Sequence, residues 1–292
     1  MSPTTAMYMA QGIHGIAYGM ILFLVSSGVT LIIGMMNILN MAHAGFFMLS
    51  AYFCYQVIAL TGNFWLGLLL APIFTAFCGI LMERFLLRRL HGYGAMGELI
   101  LTVGISFFII AMVKIIWGTS NLSVKVPPSL DGLVNIAGLD YPIYRLFVIG
   151  LALLVLGLMA LLLYKTRVGT IVRAAVSDGD MVNALGINIP LLFTLVFGVG
   201  VWLAGVAGVA IAPILTVFPG LADQMGMDAF IVVVVAGFGS LSGAFMVSII
   251  FGLLSSYGVQ FLSQMAPLLM FIFMAIVMTF WPHGFFGEGE EE

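Results

Sequence analysis

Charge is what this chain has least of. Of 292 residues, 9 are Lys or Arg and 12 are Asp or Glu, so charged side chains make up 7%. Soluble domains average about 25%, and a chain this poor in charge cannot cover a water-facing surface. Cysteine is scarce too: Cys54 and Cys78 both lie in apolar stretches, which argues against a disulfide scaffold or a cysteine metal site. There is no basic patch, so nucleic-acid binding has no support. The opening residues, MSPTTAMYMAQGIHG, carry no basic stretch ahead of the apolar run. The first apolar segment is therefore expected to remain as a span rather than be cleaved as a signal peptide.

Apolar residues dominate what remains. They make up 63% of the chain, the mean hydropathy is +1.22, and apolar runs near 20 residues recur along the whole length. That recurrence separates an integral membrane protein from a soluble one with a greasy core. Lipid offers no partner to a free N–H or C=O, so spans are helices or closed barrels. Barrel strands alternate polar and apolar residues, whereas these runs are apolar all round. The expected fold is all-α: one polytopic transmembrane helical bundle over residues 1–292, with about eight segments and two interrupted helices. The segments fall at about 10–34, 41–60, 64–87, 98–117, 144–164, 191–212, 227–262 and 265–281. The seventh is interrupted, and reads either as one span plus a short re-entrant piece or as two short spans.

Basic residues mark cytoplasmic loops. Arg84, Arg88 and Arg89 follow the third segment, and Lys165, Arg167 and Arg173 follow the fifth. Two helices separate the clusters, so both face the cytoplasm. The loop at about 118–143 and the N-terminus then lie outside. The side of the C-terminus depends on the interrupted segment. The acidic tail, 288–292, reads as a solvated end.

Two polar interruptions break the apolar pattern. In the first, Gly34 and then NILNMAHAG (residues 37–45) separate one apolar run from the next. In the second, Gly237, Gly239, Ser240, Ser242 and Gly243 divide two short runs. Irregular backbone at membrane depth survives only where protein or a watery cavity satisfies it, and paired breaks point to a transport site. A plain turn, or close helix packing through small residues, accounts for the same composition. Asn37, Asn40 and His43 fall at i, i+3, i+6, roughly one helical face, and such a polar stripe is costly enough in lipid to favour pathway lining. Gly45, Gly237, Gly239, Ser240 and Gly243 complete the candidate pathway. Glu83, Glu98, Lys114 and Arg145 sit near helix ends, where snorkelling accounts for them. Asp223 and Asp228 flank a short helix expected near Met227, with Asp228 as a capping acid.

The longest polar stretch on the basic side is KTRVGTIVRAAVSDGDMVNALGINIP, residues 165–190. Ser177 or Asp178 caps a second short helix carrying Met181, Val182 and Leu185, closed by Gly186. Such an amphipathic piece suits a groove on another protein or the membrane surface.

Four stretches together carry a family resemblance. NMAHAGFFMLSAY is similar to an N-F-A-H-G-E/D…M-L-G-A-Y element. Gly169, Arg173, Ala174, Asp178, Asp180, Leu185, Gly186 and Ile187 make a stretch that resembles a G-x-x-x-R-A-x-A-x-D-x-E-x-A-x-L-x-G-I cytoplasmic loop. DAFIVVVVAGFGSLSGA and the ending PHGFFG match two later elements in order. The chain thus resembles the shorter, LivH-type permeases of branched-chain amino acid ABC importers. The resemblance implies a bacterial inner-membrane subunit that forms half of a translocation pathway with a homologous LivM-type permease. It also implies two cytoplasmic ATPase subunits, which bind the ATP and Mg, and a solute-binding protein. Arg173, Ala174, Asp178, Asp180, Leu185, Gly186 and Ile187 would couple to the ATPases. Three departures bear on the solute: Ala44-Gly45 replaces Gly-Glu or Gly-Asp, Asp228 replaces Lys, and Ser242 replaces Pro. Phe46, Phe47, Tyr52, Phe53 and Tyr55 suit either an aromatic or carboxylate-bearing ligand or plain packing.

The sequence has no G-x-x-x-x-G-K-[ST] phosphate loop and no nucleophile–base constellation. No enzymatic role and no cofactor in this chain are expected, and ATP hydrolysis falls to separate subunits. A standalone channel or secondary carrier for a small neutral solute is the competing reading, prompted by broken helices without buried charged pairs. His14 and His43 flank one helix at opposite ends, so they cannot jointly clamp a haem.

Overall fold

The computed structural model describes residues 3–136 and 139–287, so the expectation for the tail at 288–292 lies outside the described residues. Its helices are α1 (Pro3–Met36), α2 (His43–Thr61), α3 (Phe64–Met82), α4 (Arg88–Leu90), α5 (Ala95–Trp117), α6 (Ile143–Lys165), α7 (Arg167–Ser177), α8 (Gly179–Ala184), α9 (Ile189–Ile211), α10 (Leu221–Ala236), α11 (Leu241–Phe261) and α12 (Ala266–Phe280). Seven of them are long and apolar enough to cross a membrane. The all-α bundle expected from composition is the fold. A short antiparallel hairpin, β1 (Leu133–Ile136) with β2 (Leu139–Pro142), decorates the loop before α6.

α1 is the hub, packed by α11, α9, α6 and α10. Lipid tails are as apolar as leucine, so helices associate through close approach and hydrogen bonds. A Cβ on Gly19 would sit 2.6 Å from the Ser248 carbonyl oxygen, and the hydroxyls of Ser26 and Ser248 lie 3.3 Å apart in the buried seam between α1 and α11. Ser50 Oγ donates to the Gly205 carbonyl at 2.9 Å, tying α2 to α9. Phe46, Phe47 and Tyr52 are fully buried, with the Tyr52 ring 5.3 Å from that of Trp117. Those aromatics are core.

The helices share two ends. At one, His14 meets Arg145 and stacks obliquely on Tyr141, and Leu122 bridges to Val217. At the other, the C-terminal turns of α1, α6, α10 and α12 line one cavity together with α7. This second end carries Lys165, Arg167 and Arg173 and is the basic end. The described C-terminal residues, up to Gly287, lie there too, because the Phe285 and Phe286 N–H groups donate to the Val235 and Ala236 carbonyls at 2.9 and 3.0 Å. The interrupted segment is therefore a hairpin of two helices, α10 and α11, with its turn at the basic end. α12 then returns to the same end.

Three expectations for ionisable residues are corrected, the first for Glu98, which does not snorkel but is buried and pairs with His91. Glu83 does not snorkel: it is 0% exposed, within a π-helical turn (Glu83–Leu87) that continues α3. Asp228 is not a cap, because α10 begins seven residues earlier, at Leu221; instead the Tyr18 hydroxyl donates to Asp228 Oδ2 at 2.8 Å.

Candidate functional site

α1 ends at Met36, and the chain doubles back. Asn37 takes the left-handed conformation, φ 51°, and residues 37–40 are not helical. Asn37, Asn40 and His43 therefore do not share a helical face as their spacing implied. The return brings His43, the first residue of α2, beside Val25 and Gly28 of α1. Eight residues separate Gly28 from Met36, about 12 Å of helical rise, so α2 starts deep in the bundle. Asn40 organises the crossing: its Oδ1 accepts from the Ala42 N–H at 3.1 Å and its carbonyl from the His43 N–H at 3.2 Å.

Both side chains retain an unmet polar atom. His43 is 2% and Asn40 6% exposed. The Val25 carbonyl can only accept, so His43 Nε2 donates to it at 3.2 Å. A ring protonated there presents Nδ1 as an acceptor, and that atom is buried without a partner, as is Asn40 Nδ2, a donor. Both residues line a recess of about 70 Å³, walled by Val25, Val29, Gly226 and Phe230. That is room for about two waters. Asn37 is exposed beyond it. Gly45 faces the other way, packed on Ile109 and Ser106 of α5.

The second interruption differs. Gly237 and Gly239 take positive φ, 92° and 82°, and Ser240 Oγ accepts from the Gly243 N–H at 3.1 Å to start α11. Gly237 and Gly243 pack against the 283–287 turn. Gly239 and Ser240 instead line a cavity of about 640 Å³ at the basic end. The two breaks touch at one point, where a Cβ on Gly34 would come 2.6 Å from Gly239 Cα.

The segment at 165–190 folds as the sequence indicated. Asp178 is the cap of α8, its Oδ1 accepting from the Met181 N–H at 2.9 Å, and Gly186 turns the chain out at φ 87°. Val182 is buried, whereas Met181 and Leu185 are exposed, Leu185 to 74%. Ala174, Asp178 and Gly186 are exposed and Ile187 half-buried; the Asp180 side chain lies outside the described residues. Arg173 turns back on its own chain, donating to the Leu163 carbonyl and lying over the Tyr164 ring.

One cluster has no local signal in the sequence. Arg88 Nη2 donates to the Pro190 carbonyl at 2.7 Å and also reaches Thr194. Thr194 Oγ1 in turn donates to Glu83 Oε2 at 2.5 Å. This clamp fastens the end of α3 to the first two turns of α9, directly after the segment at 165–190. Thr194 lies more than 100 residues from both Glu83 and Arg88, and Glu83 opens a π-helical turn that a local pattern does not announce. Nearby, His91 Nδ1 and Glu98 Oε1 pair at 2.6 Å.

The class is now defined: a polytopic membrane protein with an unmet polar pair inside the bundle and an exposed apolar foot at its basic end. Comparison with known proteins gives the family. Residues 13–280 match the family described as branched-chain amino acid transport system / permease component, and the chain belongs to it. It is 28% identical to the high-affinity branched-chain amino acid transport system permease protein BraD of Pseudomonas aeruginosa, covering 98% of this chain and 97% of that protein. It is 26% identical to the LivH permease of Escherichia coli, over 100% and 99%. A probable LivH permease of Methanocaldococcus jannaschii is 25% identical, over 93% and 90%. No solved structure gives a significant match. The chain is a transport permease, and the resemblance drawn from its four motifs stands.

Proposed function

We propose that the chain is one membrane subunit of an ATP-driven importer for a branched-chain amino acid, or a related small amino-acid, amide or carboxylate solute, in a bacterial inner membrane. It pairs with a homologous LivM-type permease, takes solute from a soluble binding protein and is driven by two cytoplasmic ATPase subunits, which hold the ATP and Mg. Asn40 and His43 line the solute's route, with Asn37 at its mouth.

The observation that carries this reading is that His43 and Asn40 line one recess inside the bundle and each keeps a buried polar atom without a partner, Nδ1 and Nδ2 respectively. A buried polar group without a partner costs about 1–3 kcal/mol, and in lipid such groups mark solute pathways. One acceptor and one donor suit a solute carrying both kinds of group. Met181 and Leu185, exposed on the basic end, fit a groove on an ATPase. The clamp of Glu83, Arg88 and Thr194 then passes the push on this foot to α3 as well as α9. Gly237, Gly239, Ser240 and Gly243 form the turn against which α1 ends, and support the route by fixing that end of α1 rather than by lining it.

The test is reconstitution. The chain co-expressed with a second permease and ATPases should take up a branched-chain amino acid delivered by its binding protein, and only with ATP. His43→Ala should abolish uptake while the complex still assembles. Uptake by liposomes holding this chain alone, indifferent to ATP, would overturn the reading in favour of a standalone carrier.

A further inference from the structure

The cavity of about 640 Å³ at the basic end is of the size that holds small organic ligands. α1 floors it, α6 and α7 form one wall, and the α10–α11 turn with α12 forms the other. Its walls are mostly apolar, including Met35, Met159, Phe238 and Met278. Its polar side chains are the hydroxyls of Ser27, Thr30, Tyr164 and Ser240 and two basic groups. Arg173 and His283 stand on the lining, and among the described residues no carboxylate does. Deeper, on α1, Thr30 lines the same space; it is 2% exposed and its Oγ1 has no partner.

This chemistry selects against an amino acid, whose ammonium group would meet no carboxylate among the described residues. It matches an anion with a long apolar body. Arg173 spends one N–H on the Leu163 carbonyl and has four donors left, while Lys165 and Arg167 stand exposed on the same end. Basic pockets between transmembrane helices on the cytoplasmic side take anionic lipid headgroups. We infer that this cavity is a site for one anionic phospholipid of the inner leaflet. Its phosphate lies at Arg173, an ester carbonyl accepts from the Thr30 hydroxyl, and an acyl chain runs along Phe238 and Met278. Such a lipid bridges α7 to the α10–α11 turn, two elements that otherwise face each other across an open gap. The inference stands apart from the importer reading, since it concerns lipid alone.

Native mass spectrometry of the purified full-length chain tests it, with phosphatidylglycerol and phosphatidylcholine of identical acyl chains as probes. One phosphatidylglycerol per chain should be retained, in preference to phosphatidylcholine by about fivefold, the factor one cationic side chain contributes at an anionic surface. Arg173→Gln should erase the preference but leave phosphatidylcholine retention unchanged. Met278→Trp, which fills the apolar wall, should reduce retention of both, with helix content checked by circular dichroism. Equal retention of the two lipids, or a preference that survives Arg173→Gln, overturns the site. So does a chain lacking residues 288–292 that gains lipid the full chain excludes, because the acidic tail would then be the occupant.

Discussion

The two interruptions in this bundle are built from similar small and polar residues, yet one closes on itself and the other does not. At the α10–α11 turn the last carbonyls of α10 are met by Phe285 and Phe286, and the first turn of α11 by Ser240. Where the chain crosses from α1 to α2, Asn40 satisfies the backbone, but Asn40 Nδ2 and His43 Nδ1 stay buried and unpaired. A self-satisfied break stabilises the fold. The break that leaves hydrogen-bonding capacity inside the bundle is the one we propose for the solute's route. Composition alone does not separate the two; the accounting of partners does.

That contrast can be broken by substitution, beginning where stability should suffer most. Gly239→Val forces a branched side chain into φ 82°, 3.1 Å from Gly34 Cα. Left-handed strain and overpacking together should cost about 2–5 kcal/mol, read as a collapse of thermal unfolding temperature and of membrane yield. Glu83→Ala removes the acceptor for Thr194 and the partner of Arg88. A loss of about 1.5–3 kcal/mol is expected, with uptake falling further than the amount of folded protein, as measured by transport per assembled complex. Asn40→Ser keeps a short acceptor for the Ala42 N–H but removes the unmet Nδ2, leaving only a hydroxyl nearer the backbone. Stability should move by less than about 1 kcal/mol, while uptake drops by about tenfold or more. Leu185→Ser touches only an exposed side chain. The unfolding temperature should hold, within about 0.5 kcal/mol of stability, while ATP hydrolysis loses its dependence on solute-loaded binding protein. Should Asn40→Ser unfold the chain as Gly239→Val does, the distinction between the two breaks disappears.

Much of this was legible beforehand because lipid narrows the choices. Apolar runs without alternation must be helices, so the spans followed from hydropathy. The Asp178 cap and the Gly186 exit are local chemistry, written within a few residues of where they act. What failed were inferences from spacing or position alone. Asn37, Asn40 and His43 have helical spacing, but Asn37 turns left-handed and the chain reverses. Glu83 sits near a helix end where snorkelling is the cheaper account, until Arg88 and Thr194 supply partners inside the protein. Asp228 finds Tyr18 across 210 residues. Tertiary partners of that kind leave no trace in a local pattern, and they are what hold acids read from sequence as helix-end groups inside or half inside the protein.

The central claim is that the recess at the start of α2 meets the solute's aqueous route. Ala44 is half-buried on that recess, and Cys54 and Cys78 are the only native thiols. The direct measurement is therefore alkylation of Ala44→Cys, in a chain carrying Cys54→Ala and Cys78→Ala, by a membrane-impermeant maleimide in the assembled transporter. The account predicts labelling that slows when solute-loaded binding protein and ATP are supplied. Labelling by lipid-soluble reagents alone, at a rate indifferent to solute, would contradict it.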